Sequence, residues 1–184
     1  MKVLNIHDYH EDKNNIAYKA LQACEFDIIN PQFDYDETDV FPLFDLICAE
    51  FNKNFCDVIV GTGIGAFFAM LLSAKEAVPC VLVNPAVVPG MLLLKHGYNR
   101  YVGVRRLQRL EYRYMHNFNL CGTSTIIDKQ TFQMSESMLQ YTKELLHNPR
   151  YYEIDPTSDL TMVDLFKNHK KEWFYDTCEI DLTQ

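Results

Sequence analysis

Residues 57–74, DVIVGTGIGAFFAMLLSA, decide the fold. A β-branched run, Val58-Ile59-Val60, meets three alternating glycines, Gly61, Gly63 and Gly65, and an apolar helix-like segment follows at once. Strand, glycine turn and helix in that order match the layout of a nucleophile elbow, G-x-S-x-G, in which a strained turn lifts the middle residue above a sheet. The middle residue here is Gly63. Glycine tolerates that backbone at least as well as serine, so the geometry is expected without the nucleophile. The amides of Gly63, Ile64 and Gly65 would still point outward from a helix start, which suits an anion or a carbonyl oxygen.

Outward from this stretch, strand-like and helix-like runs alternate. KVLNI (2–6), FDIIN (26–30), DVIV (57–60), CVLV (80–83), FNLC (118–121) and YYEI (151–154) read as six short strands. NIAYKALQAC (15–24), PLFDLICAEFNKN (42–54) and the segment after Leu160 repeat apolar residues at helical spacing. Apolar strands without alternation, separated by helices, indicate a parallel sheet covered on both faces. The segment between the fourth and fifth strands, about residues 90–117, is too long for a simple crossover and reads as an inserted helical cap. The expectation is one α/β domain over 1–184, with a six-stranded, mostly parallel, doubly wound sheet.

The totals exclude several classes. The chain has 184 residues, 48% of them hydrophobic and 23% charged, the proportions of a globular domain. A formal net charge of −8 argues against a nucleic-acid partner, since phosphate binding wants a basic field. No apolar run approaches the ~20 residues a membrane span needs. The opening MKVLNIHDYHEDK has neither a basic nor a long apolar region of a signal peptide, so a cytoplasmic location is expected. The cysteines Cys24, Cys48, Cys56, Cys80, Cys121 and Cys178 form no C-x-x-C pair and read as structural thiols.

Gly61-Thr62-Gly63-Ile64-Gly65-Ala66 also fits G-x-G-x-x-A, a dinucleotide fingerprint. Against that reading, the motif follows the third strand and not the first. The next strand ends in Asn84-Pro85, with no acidic residue for a ribose hydroxyl.

The chain resembles the small bacterial YqiA-like esterases, a compact branch of the α/β-hydrolases. The resemblance spans nearly the whole length. It rests on IHDY (6–9), where that family has a His-Gly-Phe oxyanion loop, and on the elbow. It rests further on VLVNPAVVPGMLL (81–93) and YVGVRRLQRLEYRYM (101–115). It implies a compact α/β-hydrolase fold with a short helical cap, hydrolysis of short acyl esters, and no cofactor. The catalytic residues do not carry over. The nucleophile position is Gly63. The acid position falls on Ser124 or Thr125, with Asp128 a few residues late. The histidine position offers only Ser158 and Asp159, and no histidine lies between Tyr151 and Phe166. Asp8 replaces the oxyanion-loop glycine, where a carboxylate would oppose an oxyanion.

His7, Asp8, Tyr9 and His10 follow the first strand, at the edge where α/β sheets bind ligands. His7, Asp8 and His10 match no trusted metal-ligand spacing, and no metal is expected. The cap carries Arg100, Arg105, Arg106, Arg109 and Arg113 in an acidic chain. Arg105 and Arg109 share a helical face. They read either as a lid offering guanidinium groups to an anion or acidic protein, or as a solvated face. The leading expectation is a hydrolase relative without catalysis, binding a small ligand, with an anion among the candidates, or a protein partner in the old cleft through His7, Asp8, Tyr9, Gly63, Ile64, Arg105 and Arg109. A rewired hydrolase using carboxylates or a metal, and the dinucleotide binder, are the alternatives.

Overall fold

The computed structural model describes residues 1–9, 11–95, 104–114, 123–131, 135–146, 150–157 and 160–175. Six strands, β1 (Lys2–Ile6), β2 (Asp27–Ile29), β3 (Val58–Thr62), β4 (Cys80–Val83), β5 (Ser124–Asp128) and β6 (Tyr151–Ile154), form one sheet in the order β2-β1-β3-β4-β5-β6. All five pairings are parallel. Seven helices connect or follow the strands: α1 (Ile16–Ala23), α2 (Val40–Asn54), α3 (Ile64–Glu76), α4 (Pro89–Lys95), α5 (Val104–Tyr114), α6 (Glu136–Leu146) and α7 (Met162–Tyr175). Helices α4 and α5 lie in the long β4–β5 connection.

Side-chain alternation along the strands divides the core in two. Val3, Val58, Val60, Val81, Val83 and Ile126 face α1 and α7, where Leu21 and Phe166 are fully buried. Leu4, Ile6, Ile59 and Leu82 face the opposite layer, built from α2, α3, α6 and the cap helices. Both faces being covered, the strands carry apolar side chains at nearly every position, as a buried parallel sheet requires. Helix α3 is apolar all round and buried from Ile64 to Ser73, as a helix enclosed by other elements must be.

Local chemistry sets the helix starts. Asn15 caps α1 by accepting a hydrogen bond from the Tyr18 amide (2.8 Å). Helix α2 begins at Val40, two residues before the first position expected from spacing, with Asp39 as its cap and Pro42 in the first turn where no amide donor is needed. Thr161 and Asp164 satisfy each other's amides at the start of α7, a reciprocal capping box.

One strand differs from the expectation. FNLC (118–121) lies outside the described residues, and the fifth strand is Ser124–Asp128. Thr125, Ile126 and Ile127 supply consecutive β-branched residues, and all five strand positions are buried.

The β3–α3 junction allows no spare atoms. A Cβ at Gly65 would stand 2.4 Å from the Ile6 carbonyl oxygen and 2.5 Å from that of His7, and one at Gly61 would stand 2.6 Å from the Ala66 Cα. These obstacles are backbone and cannot rotate away. Gly65→Ala is expected to lower stability on the order of 3 kcal/mol, by the cost of overpacking a rigid interior. Urea denaturation checks this, and a loss below about 1 kcal/mol would mean that the junction is looser than the geometry says.

Candidate functional site

Strand order reverses between β1 and β3. The chain leaves β1 toward α1 on one face and leaves β3 toward α3 on the other, which opens a crevice at their carboxyl ends. The residues entering it are His7 to Tyr9 after β1 and Gly63 after β3.

Gly63 has φ +52° and ψ −118°, a conformation that strains any residue with a side chain. Its amide donates to the Val83 carbonyl (3.1 Å), and its carbonyl accepts from the Ala66 (3.2 Å) and Ala86 (3.0 Å) amides. The turn is thus pinned to β4 and to the loop after it. Asn84, itself at φ +46°, extends the connection. Its amide donates to Ile126, and its side-chain oxygen accepts from the Asp128 amide (2.8 Å). The Asn-Pro-Ala run therefore couples three successive strand ends.

The space above Gly63 belongs to Asp8. A Cβ built on Gly63 would fall 1.9 Å from the Asp8 Cγ and Oδ2 and 2.2 Å from its Oδ1. Asp8 Oδ1 accepts hydrogen bonds from the Ile64 amide (2.6 Å) and the Tyr9 amide (2.8 Å). An oxyanion hole is made from an amide just after the elbow residue and a second from a loop following a neighbouring strand. Both such amides here hold the chain's own carboxylate. Burial pushes the Asp8 carboxyl up to about 6, with the Ile64 and Tyr9 amides pulling the other way and Glu11 adding a smaller upward push.

His7 is 1% exposed, with both ring nitrogens engaged. The Phe33 amide donates to Nε2 (2.8 Å), which assigns the proton to Nδ1, and Nδ1 lies 2.8 Å from the Asp8 carbonyl. Burial lowers its basicity, against opposing contributions from the Asp8 carbonyl, Glu11 and Asp12. Both ring nitrogens thus serve to organise the loop around His7. Tyr9 is half-buried and donates its hydroxyl to Asp36 Oδ1. Thr62 Oγ1 turns toward Asn15 Nδ2 (2.8 Å) and Glu11 Oε2 (3.3 Å), away from the crevice floor.

Ser124 and Thr125, on which the resemblance places the acid position, belong to β5. They pair with Val81 and Leu82 inside the sheet, below its carboxyl edge, and both are fully buried. Asp128 is the residue of that segment at the edge, 4% exposed, its Oδ1 accepting from the Gln130 amide (3.0 Å). Ser158, Asp159, His10 and Arg100 lie outside the described residues.

Arg105 and Arg109 are exposed on α5, and no hydrogen bond or ion pair joins them to the crevice residues. Arg106 instead pairs with Asp39, at the cap of α2. Among the described residues, no group of three or more His, Cys, Asp or Glu side chains is placed to hold a metal ion, and no helix is long and apolar enough to cross a membrane. The amide an incoming pyrophosphate would use, that of Ile64, already faces a carboxylate, which opposes the dinucleotide reading. Sequence reasoning missed Glu11, whose Oε2 accepts from the Asp8 amide (3.3 Å). It also missed the pairing of Asp8 with Gly63, although a carboxylate and an absent side chain at these two loops were both visible.

The sequence matches no family model and no curated protein. Its structure is similar to the esterase Est1E from Butyrivibrio proteoclasticus, with a TM-score of 0.67 over 96% of this chain and 87% of that one, at 13% identity. It is also similar to a hydrolase from Agrobacterium vitis S4, with a TM-score of 0.63 over 94% and 87% of the two chains at 12% identity. A third likeness is to MGS-MChE2, an α/β-hydrolase enzyme from a lagoon-sediment metagenome, at 0.62 over 95% and 90%, with 12% identity. The fold is that of the α/β-hydrolases. Identities this low carry the α/β-hydrolase fold and nothing of activity.

The folded chain holds the Asp8 proton more tightly than the unfolded chain, so its stabilising contribution is complete below the ordinary carboxyl value of 3.8 and is lost as pH rises through about 6. A shift of that size corresponds to on the order of 3 kcal/mol. Asp8→Asn keeps an acceptor oxygen without a titrating proton. Its stability relative to wild type is therefore expected to rise by about that amount between about pH 4 and pH 7. Denaturant curves across this range check it, and a pH-independent difference would mean that the Asp8 carboxyl is hydrated.

Proposed function

We propose that this α/β-hydrolase-fold protein, related to the YqiA-like esterases and residing in the cytoplasm, does not hydrolyse esters. It binds a small molecule or a protein partner in the crevice where its relatives carry out catalysis. The observation that carries this reading is the carboxyl group of Asp8 in the space that a side chain at residue 63 would need.

Ester hydrolysis on this fold needs a nucleophile at the elbow, a base to take its proton and amides to hold the oxyanion. Gly63 supplies no nucleophile. The base normally follows the last strand, and residues 150–157 contain no histidine. Both amides of the would-be oxyanion hole already hold a negative oxygen. An incoming acyl oxygen would meet repulsion in place of stabilisation, and one oxyanion-hole donor alone is worth roughly 10²–10³ in rate. Nucleophile, base and oxyanion amides act together in the acyl-transfer step, so restoring any one leaves the others missing.

The same geometry supports a ligand chemistry. At the Asp8 end the crevice offers acceptor oxygens from Asp8, Glu11 and Asp36, which favours hydrogen-bond donors and positive charge. Arg105 and Arg109 on the cap would favour negative charge at a partner's other end.

Short-chain p-nitrophenyl esters test the reading. Wild type is expected at the rate of buffer. Gly63→Ser is expected to be equally silent and less stable, because its Cβ lands on Asp8. Asp8→Gly/Gly63→Ser is expected to regain that stability while staying more than about 10³-fold below a working triad, for lack of a base. Wild-type turnover well above buffer, abolished by a change at Asp8 or Gly63, would overturn the proposal.

A further inference from the structure

Helix α2 turns Leu43 and Ile47 into the core and shows solvent an apolar back. Phe41, Pro42, Leu46 and Ala49 are all exposed there, and 3.6 residues per turn place them on one stripe with Asp45 and Lys53. The outward positions of α6 are by contrast polar, Glu136, Gln140, Lys143 and Glu144 among them. In a chain of net charge −8, the α2 stripe carries one acid and one base.

Phe55 extends the stripe. It ends α2 at φ +53° and ψ +55°, the left-handed conformation that helix ends usually assign to Gly or Asn, and its side chain is turned to water with the residue 84% exposed. Backbone strain and a wetted ring both count against phenylalanine in an isolated copy of the chain. A large, rigid aromatic in such a place suits the anchor of a contact with another surface.

The charges select what that surface is. Asp45 and Lys53 stand four residues to either side of Ala49. A second copy of α2 laid antiparallel about Ala49 sets Asp45 against the partner's Lys53 and Lys53 against the partner's Asp45, whereas a parallel copy sets like against like. The same rotation brings Phe55 to within about 3 Å, along the helix, of the partner's Phe41. One two-fold axis thus matches charge to charge and aromatic to aromatic, as an isologous contact requires. At the axis, Ala49 is small enough for the helices to approach to about 8 Å. Asp45 has no ion pair among the described residues, and Lys53 reaches only Glu50 of its own helix (3.6 Å).

We propose that the outer face of α2, with Phe55, is the contact of a two-fold dimer of this chain in which the two α2 helices run antiparallel and cross at Ala49. The contact involves none of the crevice residues and stands whether or not the crevice binds a ligand. A helix of 15 residues is about 22 Å long. Its one face covers less than the roughly 800 Å² per partner of a standard interface, so the dimer is a weak one that forms in the micromolar range.

Sedimentation velocity on the full chain, from low to high micromolar concentration, tests this. Wild type is expected to pass from monomer to dimer. Phe55→Gly is expected to weaken the dimer at least about tenfold while its monomer melts no lower than wild type, since glycine suits the left-handed turn. Asp45→Lys and Lys53→Asp are each expected to stay monomeric, and an equimolar mixture of the two to dimerise again. Ala49→Cys is expected to cross-link to its copy under mild oxidation, and Gln140→Cys on α6 is not. Wild type that stays monomeric throughout, or a dimer that Phe55→Gly and both single charge changes leave intact, would overturn the proposal. So would a mixture that associates no better than either variant alone.

Discussion

Helix α3 begins so close to the end of β1 that Gly65 has no room for a Cβ against the carbonyls of Ile6 and His7. The remaining geometry of the carboxyl edge depends on this approach. It draws the Ile64 amide within reach of the β1 loop, where Tyr9 supplies a second amide, and one side-chain oxygen can then bridge both. It also sets the height of Gly63, whose backbone passes the constraint on to Val83 and Ala86. From there Asn84 carries it to β5 through Ile126 and Asp128. Four strand ends are linked in one rim by backbone bonds, together with the side chains of Asp8 and Asn84.

The bridge across that rim is a balance of two large contributions. Hydrogen bonds to a charged acceptor stabilise by roughly 1.5–3 kcal/mol each. Withdrawing a carboxylate from water costs several kcal/mol, even after the protein relaxes. Burial wins, and the Asp8 carboxyl is pushed up to about 6 despite two donors aimed at it. The contrast with Glu153 is instructive. At the sheet's other end Lys129 and Lys143 both bond its carboxyl, which remains near water and is held down at about 2. In both cases the hydrogen-bond partners pull the carboxyl down; at Asp8 burial outweighs two neutral amides, and at Glu153 two full charges outweigh a smaller burial.

Much of this architecture was legible from the chain. A parallel sheet buried on both faces leaves runs such as CVLV and VIV that are apolar without alternation, and the glycines at 61, 63 and 65 mark the one junction where backbones must touch. The fifth strand was harder because Ser124 and Thr125 look like loop residues, yet both are fully buried. Their polarity hid a strand that β-branching alone would have revealed. At the site, the missing nucleophile was plain at Gly63, and the opposition of Asp8 to an oxyanion could be stated. That the two compensate each other could not, because the bond from Asp8 to Ile64 spans 56 residues and only the completed sheet brings them together. The role of His7 was hidden for the same reason, since it is fixed by an amide of Phe33 from a distant loop.

A planar carboxyl group with one oxygen between two amides, its carbon above the elbow, has the form of the acid that an esterase releases at the end of each turnover. A free acid departs and is diluted by the solvent. Asp8 is tethered one residue from one of the amides it binds, so its effective concentration there stays at the level of a short covalent link, whatever the surroundings contain. In kinetic terms the crevice is held at the stage of bound product, with the product written into the backbone as residue 8.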